Sequence, residues 1–172
     1  LAETFLRNFD SLDNERNFVI APEGLHRFYT KGFYGNIGAS WMTKEDRLDD
    51  INDYVKFLDK IYNDEIEIHS NEKLIKTAFG FSQGTATVCR WFILGDSKID
   101  KLVLWGGGLP NDINLVENKT KLNSIQLKIL IGNKDPFITA EQIEIEKKKL
   151  DDNGIRYEMN VYEGGHKINQ EV

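Results

Sequence analysis

Short apolar runs alternating with amphipathic stretches leave this chain few ways to fold. NFVIAP (17–22), LIKTAFGF (74–81), KLVLWG (101–106), LKILIG (127–132) and IRYEMNVY (155–162) are rich in branched or aromatic residues and bounded by Gly, Pro or Asn. These read as five strands. Several are continuously apolar rather than alternating, the pattern of parallel strands covered on both faces. Helix patterns lie between them. AETFLRNF is a short one. KEDRLDDINDYVKFLDKIY puts Leu48, Ile51, Val55, Leu58 and Ile61 on one face, with Thr43 placed to cap it and Asp46 three residues on. TATVCRWFIL runs to a stop at Gly95, and TAEQIEIEKKKLDDNG opens with Thr139 and Gln142 in capping-box spacing and closes at Gly154. This alternation predicts a single α/β domain over 1–172, a doubly wound and mostly parallel sheet with helices on both faces.

Composition narrows the function classes. With 172 residues and 40% hydrophobic content the chain can bury one core. Its net charge of -6 is spread along the chain, which argues against a nucleic-acid binder, whose surface would carry a basic stripe. The single cysteine, Cys89, excludes a disulfide framework or a cysteine-rich zinc site, and its apolar neighbours predict a buried core residue. No run approaches the roughly 18 apolar residues of a membrane span. The expected location is cytoplasmic, with a homodimer left open and no metal or cofactor called for. The chain opens on Leu1 in a helix-like stretch. The expectation is that an upstream segment supplies a further strand.

The chemistry concentrates in three places. In GFSQG, Ser82 stands between Gly80 and Gly84 where a strand hands over to a helix. Such a turn exposes the hydroxyl above the sheet and aims the amides of the next helix at developing negative charge. A serine hydroxyl becomes nucleophilic when a histidine takes its proton and an acid orients that histidine. Of three histidines, His26 falls in a loop among aromatics and His69 in a polar stretch before a strand. His166, in YEGGHKI, follows the last strand at the sheet edge that carries ligand sites. For the acid, Asp135 in GNKDPF follows a buried strand; its other reading is a turn aspartate bonding its own backbone. Asp151 and Asp152 end a helix, and Glu163 lies three residues before His166.

GFSQG, GNKDPF and YEGGHKI, taken with FVIAPEG, GASWMTKEDR and LVLWGGGLP, resemble the blocks of the phospholipase/carboxylesterase family, which includes the acyl-protein thioesterases. The resemblance runs from residue 1 to about 168. It implies an α/β-hydrolase fold, cleavage of carboxylic esters or thioesters without a cofactor, and the order Ser82, Asp135, His166 as nucleophile, acid and base. It implies the backbone N–H of Gln83 as one oxyanion donor. The second donor, in a His-Gly block of that family, is expected upstream of Leu1.

The aromatic segment 25–42 supports two readings. Phe28, Tyr29, Phe33, Tyr34, Trp41 and Met42 either wall an apolar substrate pocket or form a loop packed on the core. Leu109, Phe137 and Ile138 follow other strand ends and are candidates for the same wall. The leading expectation is a serine esterase acting on small or medium apolar esters. A thioesterase or lysophospholipase on the same site, a peptidase, and a non-catalytic binding protein on this fold are the alternatives.

Overall fold

The computed structural model describes residues 1–12, 16–66 and 73–172; His69 lies outside them. The described residues form two compact units, Leu1–Tyr54 and Val55–Val172.

In the first unit, helix α1 (Ala2–Leu6) continues as a 3-10 turn over Arg7–Leu12. Segment 25–42, expected as a loop, is a β-hairpin. Strands β1 (His26–Lys31) and β2 (Tyr34–Ser40) pair antiparallel from His26 opposite Ser40 to Lys31 opposite Tyr34, with an irregularity between Tyr29 and Lys31. The signal was present in the sequence: aromatic and branched residues surround the two-residue turn Gly32-Phe33, in which Gly32 takes φ 69°. NFVIAP, by contrast, is not a strand. It carries one bridge residue, Asn17, and Phe18 is 74% exposed. An apolar run becomes a strand only when a ladder partner takes its backbone groups, and β1 and β2 take each other.

Helix α2 (Arg47–Glu65) buries Ile51, Tyr54, Val55, Leu58 and Tyr62, an i, i+3, i+4 stripe. Leu48 and Ile61 belong to the margins of that stripe: Leu48 is exposed and Ile61 half-buried. Thr43 does not cap this helix as expected. Its N–H and hydroxyl both donate to Asp50 Oδ2, at 2.7 and 3.1 Å, and its contact with the Asp46 N–H is long, at 3.5 Å. His26, at the start of β1 rather than in a loop, donates from Nε2 to Asp50 Oδ1 at 2.8 Å. The Thr43 amide holds the Asp50 carboxyl below its ordinary pKa. A lowered carboxylate pKa stabilises at neutral pH and ceases to as the pH falls through the folded-state value. We expect the Thr43 amide resonance to report this tie loosening in acid, and to be pH-independent in Asp50→Asn.

The second unit holds one parallel sheet: β3 (Thr77–Phe81), β4 (Lys101–Trp105), β5 (Gln126–Gly132) and β6 (Glu158–Tyr162), in the order β3-β4-β5-β6. The expected five-stranded sheet is therefore four-stranded among the described residues. Each crossover carries a helix, α3 (Gln83–Leu94), α4 (Leu115–Leu122) or α5 (Ala140–Asp152). The apolar centres of β4 and β5 form the core; Leu102, Leu104 and Ile129 are fully buried, and Ile131 and Leu127 nearly so. Each such side chain contributes about 1.5–3 kcal/mol. Helix α4 was not anticipated, because its eight residues show too few apolar positions; Asn114 caps it by accepting from Val116 and Glu117 N–H. Helix α5 carries the anticipated capping box, Thr139 accepting from Gln142 N–H while the Gln142 side chain accepts from Thr139 N–H. We expect Thr139→Ala to lower stability by about 0.5–2 kcal/mol in a urea melt. Cys89 is fully buried, and burial pushes its thiol pKa up. No helix among the described residues is long and apolar enough to cross a membrane.

Candidate active site

Ser82 is the single residue between the end of β3 and the start of α3. It is the one non-glycine residue with positive φ among the described residues, at φ 55° and ψ -118°. The turn closes so tightly that a Cβ on Gly80 would lie 2.4 Å from the Gly84 carbonyl oxygen, whereas a Cβ on Gly84 would meet nothing. The two flanking glycines are therefore not equivalent, and only the first is demanded by close approach. The Ser82 backbone is held at both ends. Its N–H donates to Trp105 O at 2.9 Å, and its carbonyl accepts from the Thr85 N–H at 3.0 Å and the Thr85 hydroxyl at 2.8 Å. Gln83 opens α3 directly after it, at the positive end of a twelve-residue helix.

Asp135 follows β5 and is buried. Its two oxygens have separate partners. Oδ1 accepts from Phe137 N–H at 2.8 Å, and Oδ2 lies 2.6 Å from His166 Nδ1. The two readings of this aspartate thus coexist, since the turn contact fixes one oxygen and leaves the other for the histidine. His166 Nε2 lies 2.9 Å from Ser82 Oγ. An ionised carboxylate only accepts, so it selects the tautomer with the proton on Nδ1 and leaves Nε2 to accept from the serine. The imidazole sits between two aromatic rings, Phe81 at 4.9 Å and Phe137 edge-on at 4.8 Å between centroids.

Backbone contacts bring the Asp135 and His166 loops together. Asn133 N–H donates to Tyr162 O, and Lys134 N–H to Gly164 O at 2.8 Å, so the turn bearing Asp135 is laced to the one bearing His166. A Cβ on Gly132 would stand 2.3 Å from Gly164 O, so only glycine permits this approach. Glu163, considered as an alternative acid, instead pairs with Lys134 at 2.7 Å, both well exposed. Asp151 and Asp152 end α5.

The remaining residues considered for a substrate wall are scattered in exposure. Phe137 is 70% exposed beside the imidazole, while Leu109 is buried. Leu109 is gripped through its backbone by α5: its N–H donates to Glu146 Oε1 and its carbonyl accepts from Lys149 Nζ. In the first unit Phe28, Tyr29, Tyr34 and above all Phe33 are exposed, and Trp41 and Met42 are half-buried, with Trp41 edge-on to Tyr54. Nothing in the sequence pointed to Glu146, Lys149 or the buried Arg90, which forks onto Asp112. Such ties join residues far apart in the chain and leave no local pattern.

A family model described as phospholipase/carboxylesterase matches residues 39–172. No curated protein matches the chain in sequence. Among solved structures, the chain is similar to Zea mays acyl-protein thioesterase 2, with TM-score 0.69 and 15% identity over 99% of this chain and 83% of that one. It is similar to a Bacillus cereus carboxylesterase, with TM-score 0.67 and 15% identity over 98% and 76%. It is also similar to Arabidopsis thaliana SOBER1, with TM-score 0.66 and 17% identity over 98% and 85%. At such identities the structural likenesses speak for a common fold, the α/β-hydrolase fold.

Proposed function

Because this chain belongs to the phospholipase/carboxylesterase family, we propose that it is a serine hydrolase of carboxylic esters with small or medium apolar acyl groups. The observation that carries the reading is the unbroken chain of contacts from Asp135 through His166 to Ser82, 2.6 and 2.9 Å long. Ser82 Oγ attacks the ester carbonyl carbon as His166 Nε2 takes the hydroxyl proton. Asp135 holds the imidazole and stabilises the cation that forms. The tetrahedral oxyanion lies toward the start of α3, where the Gln83 N–H donates to it. Collapse breaks the bond to the leaving alkoxide, which receives the proton from His166, and leaves Ser82 acylated. A water, deprotonated by the same nitrogen, attacks that acyl group; collapse releases the carboxylic acid and returns the proton to Ser82.

Thioesters are a second reading of the same site. Attack on the acyl carbon is common to both, and the thiolate leaves with less need of a proton. Labelling with a fluorophosphonate, which phosphonylates an activated serine, separates either enzyme from a binding protein. Wild type is expected to label and Ser82→Ala to remain unlabelled; an unlabelled wild type overturns the proposal. Paired ester and thioester substrates of increasing acyl length then decide between the two chemistries. Phe137, exposed against the imidazole, is proposed to contact the acyl group. We expect Phe137→Ala to change discrimination between short and longer acyl chains by about 1–3 kcal/mol, read as a ratio of kcat/KM values.

A further inference from the structure

Two buried side chains grip the backbone beside His166 without touching the reacting groups. Trp105 ends β4 and Tyr162 ends β6. With Leu130 they form a buried cluster against which Phe79, Phe81, Val103 and Ile168 pack. Their rings meet edge-on, 5.5 Å apart. Within this apolar setting the polar atoms are few and all directed to one place. Trp105 Nε1–H donates to the Tyr162 oxygen at 2.8 Å and to Lys167 O at 3.2 Å. The Tyr162 hydroxyl donates to Lys167 O at 2.9 Å and reaches Gly165 O at 3.4 Å. Gly165 and Lys167 are the immediate neighbours of His166, so the phenol bonds the carbonyl on one side of it and lies close to the carbonyl on the other.

Packing alone does not call for these atoms. Two apolar rings would fill the same volume without the cost of burying an indole N–H and a phenol O–H, which is acceptable only because both are bonded. His166, meanwhile, must satisfy two short contacts at once from a loop that begins with two glycines. The Asp135 turn holds that loop at Gly164; beyond His166 the tether is the pair Trp105 and Tyr162.

We propose that Tyr162, oriented by Trp105, is a positioning residue for the hydrolytic reaction: its hydroxyl anchors the Lys167 carbonyl, one residue past His166, and so keeps the imidazole in reach of both Asp135 and Ser82. The proposal rests on the serine-hydrolase reading above. A displacement of about 1 Å in a reacting group costs on the order of 10²-fold in rate. Tyr162→Phe, which removes one oxygen and keeps the ring, is therefore expected to lower kcat and the rate of fluorophosphonate labelling together, by about 10–100-fold. KM should stay within about twofold, since binding is untouched. Trp105→Phe, which removes the indole donor and leaves the phenol, should lower both rates by a smaller factor.

A merely structural role predicts something different: a lower Tm with unchanged kcat well below the melting range. A second readout needs no turnover. The His166 Nδ1 proton should exchange slowly with solvent in the wild type, by NMR of histidine-labelled protein, and faster in Tyr162→Phe. Unchanged kcat and unchanged proton exchange in a folded Tyr162→Phe overturn the inference. If Tyr162→Phe does not fold, the same two measurements on Trp105→Phe decide the question in its place. A wild type that fails to label sinks the hydrolase reading instead, and the exchange measurement still shows whether the tether exists.

Discussion

Replacing Ser82 by alanine is expected to lower ester turnover by about 10⁴–10⁶-fold and leave the fold intact. In the proposed reaction the hydroxyl oxygen supplies the bond to the acyl group, and nothing else in the chain from Asp135 to Ser82 can form it. His166→Ala should cost about as much, because groups that act as a unit lose most of their effect when any one is removed. Asp135→Asn is the more discriminating variant. It keeps the shape of the turn and can still accept from Phe137 N–H. An amide presented to Nδ1, however, no longer selects the productive tautomer, and turnover should fall by about 10⁴-fold. Steady-state kinetics on a chromogenic acetate or butyrate ester, with circular dichroism as the check on folding, reads all three. Turnover within tenfold of wild type in any of them would reject the assigned roles.

The second large effect is structural. Gly80→Ala would place a methyl 2.4 Å from the Gly84 carbonyl oxygen and 2.7 Å from Thr85 Cα. Both are backbone, and neither can swing aside. The turn must open, at a cost of about 1–3 kcal/mol in stability, and the opening moves Ser82 away from His166. Labelling by a fluorophosphonate should be lost with it. Gly84→Ala is the control. Its methyl meets nothing, it lies in the first turn of α3, and alanine favours helix over glycine by up to about 1 kcal/mol. Equal losses in the two variants, compared by urea melts and labelling, would contradict the asymmetry of this turn.

The meeting of Ser82, Asp135 and His166 at one sheet edge was legible because each follows a run that becomes a parallel strand, strongly apolar before Ser82 and Asp135 and more mixed in the half-exposed β6 before His166. Burial on two faces writes a strand into the sequence as uninterrupted Val, Ile, Leu and aromatic residues. A polar residue straight after such a run is delivered to the carboxyl edge of the sheet. NFVIAP has the same look yet is not a strand, because apolar character states only that a segment can pair and says nothing about a partner. The hairpin β1–β2 was passed over for the converse reason. Its residues are largely exposed on both faces, so no period-2 burial pattern marks it, and its two-residue turn is Gly32-Phe33 rather than an Asn-Gly pair. Thr43 makes at best a weak cap because its side chain is drawn toward Asp50, seven residues away, which leaves its oxygen 3.5 Å from the Asp46 N–H. The contacts that hold the loops, from Glu146, Lys149, Arg90 and Tyr162, depend on where distant elements land.

The positive φ at Ser82 has a consequence for what can be made of this protein. A side chain at φ 55° and ψ -118° sits in territory that glycine occupies freely and that costs other residues about 1–3 kcal/mol. The position of the proposed nucleophile is thus a loaded spring, compressed by the same backbone contacts that aim it. Ser82→Gly releases that spring, and the inert protein should melt at a higher temperature than the active one, where Ser82→Ala should not. Thermal robustness and reactivity are then opposed at one residue. A selection for heat resistance alone would favour the loss of Ser82, so any hardening of this chain has to be sought at positions away from the bend and screened with the serine kept in place.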